Sequence, residues 1–198
     1  MKVQAVLEFW LGSNPDDAAV AKEKSALWWS KNPQVDDEIR GRFEGLVAKA
    51  AAGELSYWEA TPAGRLALIL LTDQFPRNIY RDSPRAFAYD AKALAWCLDG
   101  IEQHVDRKLR PIERVFLYLP LEHAESLEHQ DKSVKHFGEL VSIVDEPDKA
   151  VFKEYLDFAI RHRDIIARFG RFPHRNKILG RQFTAEEIAF LNEPGSSF

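Results

Sequence analysis

Apolar positions along this chain recur at the spacing of helix faces. Tyr155, Ala159, His162, Ile166 and Phe169 follow one another at intervals of four, three, four and three, which lays them along one side of a helix. A second stripe runs through His123, Leu127, Gln130, Val134, Phe137 and Val141, and a third joins Leu66, Leu70 and Asp73. Strand signals are weak: there are 23 alanines, three threonines and no Asn-Gly or Asp-Gly hairpin turn. Thr61-Pro62 and Ser83-Pro84 each set a capping hydroxyl before a proline at the first helical position. Thr184 to Glu187 forms a capping box. Gly53, Gly100 and Gly170 stand where helices should end. Together these signals predict helices near 3–11, 17–30, 34–52, 63–74, 84–98, 111–118, 121–142, 148–168 and 184–192. The run Leu66 to Leu71 is apolar throughout and would suit a buried strand, but the Thr61-Pro62 cap and a stop at Pro76 favour helix. The 84–98 segment is apolar on two sides, with Phe87, Ala91 and Leu94 on one and Tyr89, Ala93 and Trp96 on the other. Such a helix belongs inside an array. The fold class expected is all-α, built from stacked antiparallel hairpins.

Composition narrows the setting. At 198 residues the chain fits a single domain, taken as 3–198, with a core of useful size. No apolar run approaches the ~18 residues of a membrane span, and Met1 to Leu11 does not read as a signal peptide. One cysteine, Cys97, excludes an internal disulfide and a cysteine metal cluster. A cytoplasmic location is the plain expectation. The net charge is −4, yet Arg161 to Arg181 holds seven Lys/Arg against one acid, Asp164. Such a strip either forms a focused anion site or pairs with acidic helices of the same chain. The acidic remainder argues against nucleic acid and against anionic membranes as partners.

The most informative motif is a repeated corner. Gln74 to Asn78 read Q-F-P-R-N and Phe169 to Asn176 read F-G-R-F-P-H-R-N, followed by Arg81 and Arg181 respectively. Each corner joins a proline stop, an aromatic anchor and a dense set of hydrogen-bond donors. If folding brings them together they would wall one polar site. Three predicted helices also point a polar group into an apolar stripe: Asp73, His123 with Gln130, and His162. Left unsatisfied when buried, each would cost about 1–3 kcal/mol, so each needs a partner. Arginine is the natural one for Asp73, with Arg77 or Arg171 the candidates. His123, following Pro120, is expected at a helix start.

Other chemistries have little support. Cys97 lies on an apolar helix without a basic neighbour. No G-x-S-x-G elbow, glycine-rich phosphate loop or dinucleotide fingerprint is present. No cofactor and no metal is expected: Glu125 and His129 are four apart, but on a continuous helix they would face away from His123. Acid–base work by His123, His162 or His174 stays open, since unperturbed histidine titrates near neutrality.

Four segments, Leu7 to Gly12, Gly64 to Arg81, Phe116 to Glu125 and His162 to Arg181, resemble the bacterial family called domain of unknown function 924. The likeness runs from about Val3 to the C-terminus, and F-G-R-F-P-H-R-N-x-x-L-G-R is its most specific string. The resemblance implies an all-helical, tetratricopeptide-like fold, and it carries no activity with it. The family's motif positions fall on Asp73, Gln74, Arg77, Asn78, Arg81, His123, Glu125, Gln130, His162, Arg171, His174, Arg175, Asn176 and Arg181. Ala124 stands where the family has serine, and Tyr89 where it has threonine, so hydroxyl chemistry at either place is in doubt.

The favoured reading is a binding module in a right-handed array. It would hold a small anionic ligand or a peptide carboxylate between Asp73, Arg77, Asn78, Arg81, Gln130, Arg171, Arg175, Asn176 and Arg181. A hydrolase or lyase acting on an anionic substrate, with His123, His162 or His174 as base, is the first alternative. A protein-interaction scaffold is the second. A pocket lined by both His123 and His174 would favour the enzyme.

Overall fold

Residues 2–196 are described by the structure, a computed structural model. Among them there is no strand. The chain runs α1 (Lys2–Leu11), α2 (Asp17–Trp29), α3 (Pro33–Ala52), α4 (Pro62–Ile69), α5 (Phe75–Ile79), α6 (Asp90–Glu102), α7 (Pro111–His123), α8 (Leu127–Ile143), α9 (Lys149–Phe169) and α10 (Ala185–Phe190), with 3₁₀ turns at Ser56–Ala60, Pro84–Phe87, Asp106–Lys108 and Pro173–Arg175. The sequence-read caps hold. Thr61 accepts from the Gly64 amide at 3.1 Å, and the Thr184–Glu187 box closes in both directions. Gly53 and Gly170 end α3 and α9 at φ of 81° and 68°, a region open to glycine at little steric cost.

Two prolines act differently from expectation. Pro76 does not stop the helix that begins at Pro62. The segment Leu70–Gln74 widens into a π turn, the Phe75 amide bonds the Leu70 carbonyl, and α5 continues to Ile79. Proline supplies no N–H, and the wider pairing just upstream absorbs the missing bond. Pro120 likewise sits inside α7. The expected break at 119–120 falls instead at 124–126. There the Gln130 amide donates to the carbonyls of Glu122 at 2.6 Å and Ala124 at 2.8 Å, closing the helix end. His123 therefore ends a helix rather than starting one. Gly100 is a third departure. It lies within α6, where a Cβ would meet Cδ of the buried Arg65 at 2.8 Å. The predicted 84–98 helix is a 3₁₀ turn followed by α6.

Hairpin pairing is visible in side-chain contacts. Arg163 near the end of α9 bonds Asp131 near the start of α8, and His136 of α8 stacks on Tyr118 of α7 at 4.7 Å. Helix α3 runs antiparallel to the α4–α5 segment, with Phe43 on Phe75 at one level and Asp36 on Asn78 at another. One core extends from Val6 to Ala159, with Trp10, Phe75, Phe116, Tyr118 and Phe152 buried in it. A second, smaller group joins Ile165, Ile166 and Phe172 to Phe169 and Phe190. Trp28 is buried and Trp29 is half exposed, one on the core and one at its rim.

Candidate functional site

The π turn buries Leu70 through Gln74 and aims Asp73 at the end of α7. The Asp73 side chain has no exposure, and its Oδ1 lies 2.7 Å from Nδ1 of His123. Gln74 and Arg77 complete its surroundings, Gln74 through a short 2.5 Å bond and Arg77 at 3.3 Å. Burial alone would raise the Asp73 pKa, but Arg77, then His123 and Gln74, outweigh it and hold the carboxyl well below the usual carboxylate range. An ionised carboxylate only accepts, so His123 donates from Nδ1 and carries its lone pair on Nε2. Burial first and Arg77 second lower the His123 pKa, against the pull of Asp73, which keeps the ring neutral.

The two corners meet. Arg77 donates bidentately to Asp90 at 2.9 and 3.0 Å and also bonds the Asp73 carbonyl. Arg175 reaches the His123 carbonyl at 3.0 Å and stands 3.9 Å from Asp90. Both guanidinium groups lie against the Phe87 ring, at 5.5 and 4.8 Å, and Arg175 also lies 4.4 Å from the Phe172 ring. Arg175 is 6% exposed, and its Nε has no hydrogen-bond partner. Burial, then the charge of Arg77, bring its pKa down to about 10, so it remains a cation at neutral pH.

An open cleft of about 480 Å³ leads to this point. His123, Asp90, Arg175, Glu125, Ser126 and His129 supply its polar lining, and Phe87, Leu94, Pro84, Pro120 and Leu179 much of its apolar lining. Glu125 and His129 share the cleft with His123, contrary to the expectation that they face away. The helix break at 124–126 resets the phase on which that expectation rested. For the same reason Gln130 and His123 do not share one helix stripe.

The remaining candidates divide between several places. Asn78 and Arg81 bond Asp36 on α3, Arg81 through both oxygens at 2.7 and 2.8 Å. Gln130 is the cap of α7. Arg171 pairs with Glu187 at 2.6 and 2.8 Å rather than with Asp73. Arg181 binds Glu125 through both oxygens and Asn176 Oδ1 at 2.8 Å, tying the second corner to the α7–α8 turn. His162 is buried against the Phe158 carbonyl, with Glu122 Oε1 at 3.2 Å, and burial lowers its pKa well below the ordinary value. His174 packs on Phe172 outside the cleft lining, its pKa brought down to about 4 by burial and Arg175. The basic strip is largely answered within the chain, through Arg163–Asp131, Arg168–Glu186, Arg171–Glu187 and Arg181–Glu125.

Sequence reasoning missed three contributors. Asp90 is the shared acid of both corners, and its position in the first turn of α6 was a usable signal. Phe87 is the ring beneath both guanidinium groups. Glu122, a lone acid ending the run Phe116 to Leu121, is 4% exposed, and burial with the nearby Asp73 charge pushes its pKa up to about 8. Cys97 is buried, and burial drives its thiol pKa upward, which keeps it unreactive. Among the described residues no three His, Cys, Asp or Glu side chains stand together as metal ligands, and no helix is long and apolar enough to cross a membrane.

No curated protein matches the chain. A solved structure, that of the protein of unknown function ATU0120 from Agrobacterium tumefaciens, is similar over 96% of this chain and 97% of its own, at 33% identity and a TM-score of 0.80. The model of the family described as bacterial protein of unknown function (DUF924) matches residues 6–195. With that match spanning nearly the whole chain, the protein belongs to the DUF924 family of bacterial proteins.

Proposed function

We propose that this protein binds a small anionic molecule in the cleft, with Arg175 as the anchor. The observation that carries the reading is a guanidinium that is nine-tenths buried, borders the cleft and keeps an Nε without a partner. Nε itself is sealed from the cleft, so an anion would meet the guanidinium's other N–H groups and answer a charge that Asp90, 3.9 Å away, meets only weakly. Rings of Phe87 and Phe172 hold the group flat, so little side-chain freedom is lost on binding. Arg77 supports the site indirectly, by fixing Asp90. Asn78, Arg81, Gln130 and Arg171 drop out of the ligand set, because each is engaged in a separate structural bond. A right-handed, tetratricopeptide-like stacking within one domain belongs to the same proposal, supported by the antiparallel packing of α7, α8 and α9, as does a cytoplasmic setting, supported by the one cysteine, which is free and buried.

The test is thermal shift with a panel of simple anions on wild type, Arg175→Gln and Arg171→Gln. The stabilisation expected in wild type disappears in Arg175→Gln and persists in Arg171→Gln. Equal shifts in all three proteins would end the proposal.

A second reading, acid–base catalysis, is favoured by one contact, the 2.7 Å Asp73–His123 bond. It fixes the imidazole tautomer and leaves Nε2 as a neutral base at the cleft. Against it, His174 does not line that cleft. Long-range nitrogen NMR should report protonated Nδ1 and bare Nε2 for His123 at pH 7, and a protonated Nε2 would remove the base.

A further inference from the structure

Resting on the reading of the cleft as an anion site, we propose that its ligand is a monocarboxylate carrying an apolar arm. Three features of the cleft point to this class.

The first is the shape of the anchor. Arg175 is held against two rings and engages the His123 carbonyl through Nη1 alone, with Nε unpartnered. A flat guanidinium edge matches the planar pair of oxygens of a carboxylate.

The second is charge. Arg77 adds no attraction of its own, because Asp73 and Asp90 both face it. Glu125 is likewise matched by Arg181. Taken together, Asp73, Asp90, Arg77 and Arg175 sum to zero, so one entering negative charge is tolerated far better than two. A phosphate dianion or a dicarboxylate would bring its second charge towards Asp90 and Glu125, both of which line the cleft.

The third is the remaining wall. Pro84, Phe87, Ala91, Leu94, Pro120 and Leu179 form an apolar surface beside the polar end. Ala91 and Leu94, three residues apart on α6, line the cleft side by side. The volume, about 480 Å³, falls within the range of small-molecule sites, roughly 300–1,000 Å³.

Two sources share this chemistry, a free short-chain acid and the C-terminal end of a peptide with an apolar last residue. Titration calorimetry at constant ionic strength, using acetate, hexanoate, succinate, inorganic phosphate and acetyl-Gly-Leu, tests the class and separates the sources. Hexanoate or acetyl-Gly-Leu should bind at least tenfold tighter than acetate, succinate and phosphate, and whichever is tighter names the source. Arg175→Gln should abolish that binding. Leu94→Asn, at a half-buried wall position, should weaken the apolar-armed ligand several-fold and leave acetate unchanged, which keeps a readout if Arg175→Gln does not fold. Phosphate or succinate binding as tightly as hexanoate, and lost in Arg175→Gln, would overturn the monocarboxylate class while leaving the anion site standing. No binding of any of the five to wild type would overturn both.

Discussion

In the first corner Arg77 meets Asp73 and two oxygens of Asp90, while Asn78 and Arg81 share Asp36. In the second corner Arg175 meets a backbone carbonyl and a carboxylate 3.9 Å away, while Arg181 is held by Asn176 and Glu125. The letters Phe-Pro-Arg-Asn are nearly the same, but the electrostatic outcome differs. One arginine is neutralised by its own chain and acts as structure. The other keeps donor capacity at the edge of a cleft. Identity of a residue and even its burial are therefore weaker guides to a binding role than the inventory of acceptors around it.

The most severe way to break this contrast is to remove the acid of the first corner. Asp73→Ala leaves Arg77 one carboxylate short and the His123 Nδ1–H without its acceptor, all under burial. Urea denaturation should show a loss of about 3–5 kcal/mol, the range for stripping one partner from a buried ion pair. Arg175→Met, by contrast, replaces a poorly matched cation with an apolar chain between two rings and should change stability by no more than about 1 kcal/mol. Equal losses in the two variants would show that the corners are not electrostatically different.

A pH series sharpens the same comparison at intermediate size. Beside the first corner, Glu122 titrates at about 8 because burial and Asp73 disfavour its charge. The native state keeps a proton that the unfolded chain releases above the usual carboxyl range, so this stabilising preference fades as pH rises towards 8. Glu122→Gln should melt above wild type at pH 9 and coincide with it near pH 4. Beside the second corner, His174 titrates at about 4, lowered by burial and Arg175. There the unfolded chain takes up a proton first, so stability falls as pH drops from about 6.5 towards 4. His174→Gln should flatten that acid limb in differential scanning calorimetry. The smallest effect belongs to the partly buried pair of Arg81 with Asp36, whose side chains are 28% and 11% exposed. Arg81→Ala should cost about 1 kcal/mol and leave anion binding intact.

Much of the fold was legible because helix signals are local. Thr61-Pro62, the Thr184–Glu187 box and the left-handed glycines Gly53 and Gly170 act within a turn or two of themselves. Pro76 and Pro120 misled for an equally physical reason. A proline's cost depends on whether a neighbouring turn can widen, as Leu70–Gln74 does, and the true end of α7 is closed by Gln130, which comes from the next helix. In the site, the pairing of Asp73 with Arg77 was legible from i,i+4 spacing, whereas its alternative with Arg171 was not borne out. Asp90 and Glu122 escaped notice because nothing local marks an acid as shared or as stranded.

By itself the sequence determined that the chain is all-α, where most helices begin and end, and that it carries two arginine-rich Phe-Pro corners. Those properties follow from short-range backbone and capping energetics. Only the tertiary structure decided which arginine retains free donors, which histidines border the cleft and which polar residues merely cap a helix. Those outcomes depend on carboxylates and carbonyls brought in from distant parts of the chain, and charge compensation has no fixed spacing in sequence.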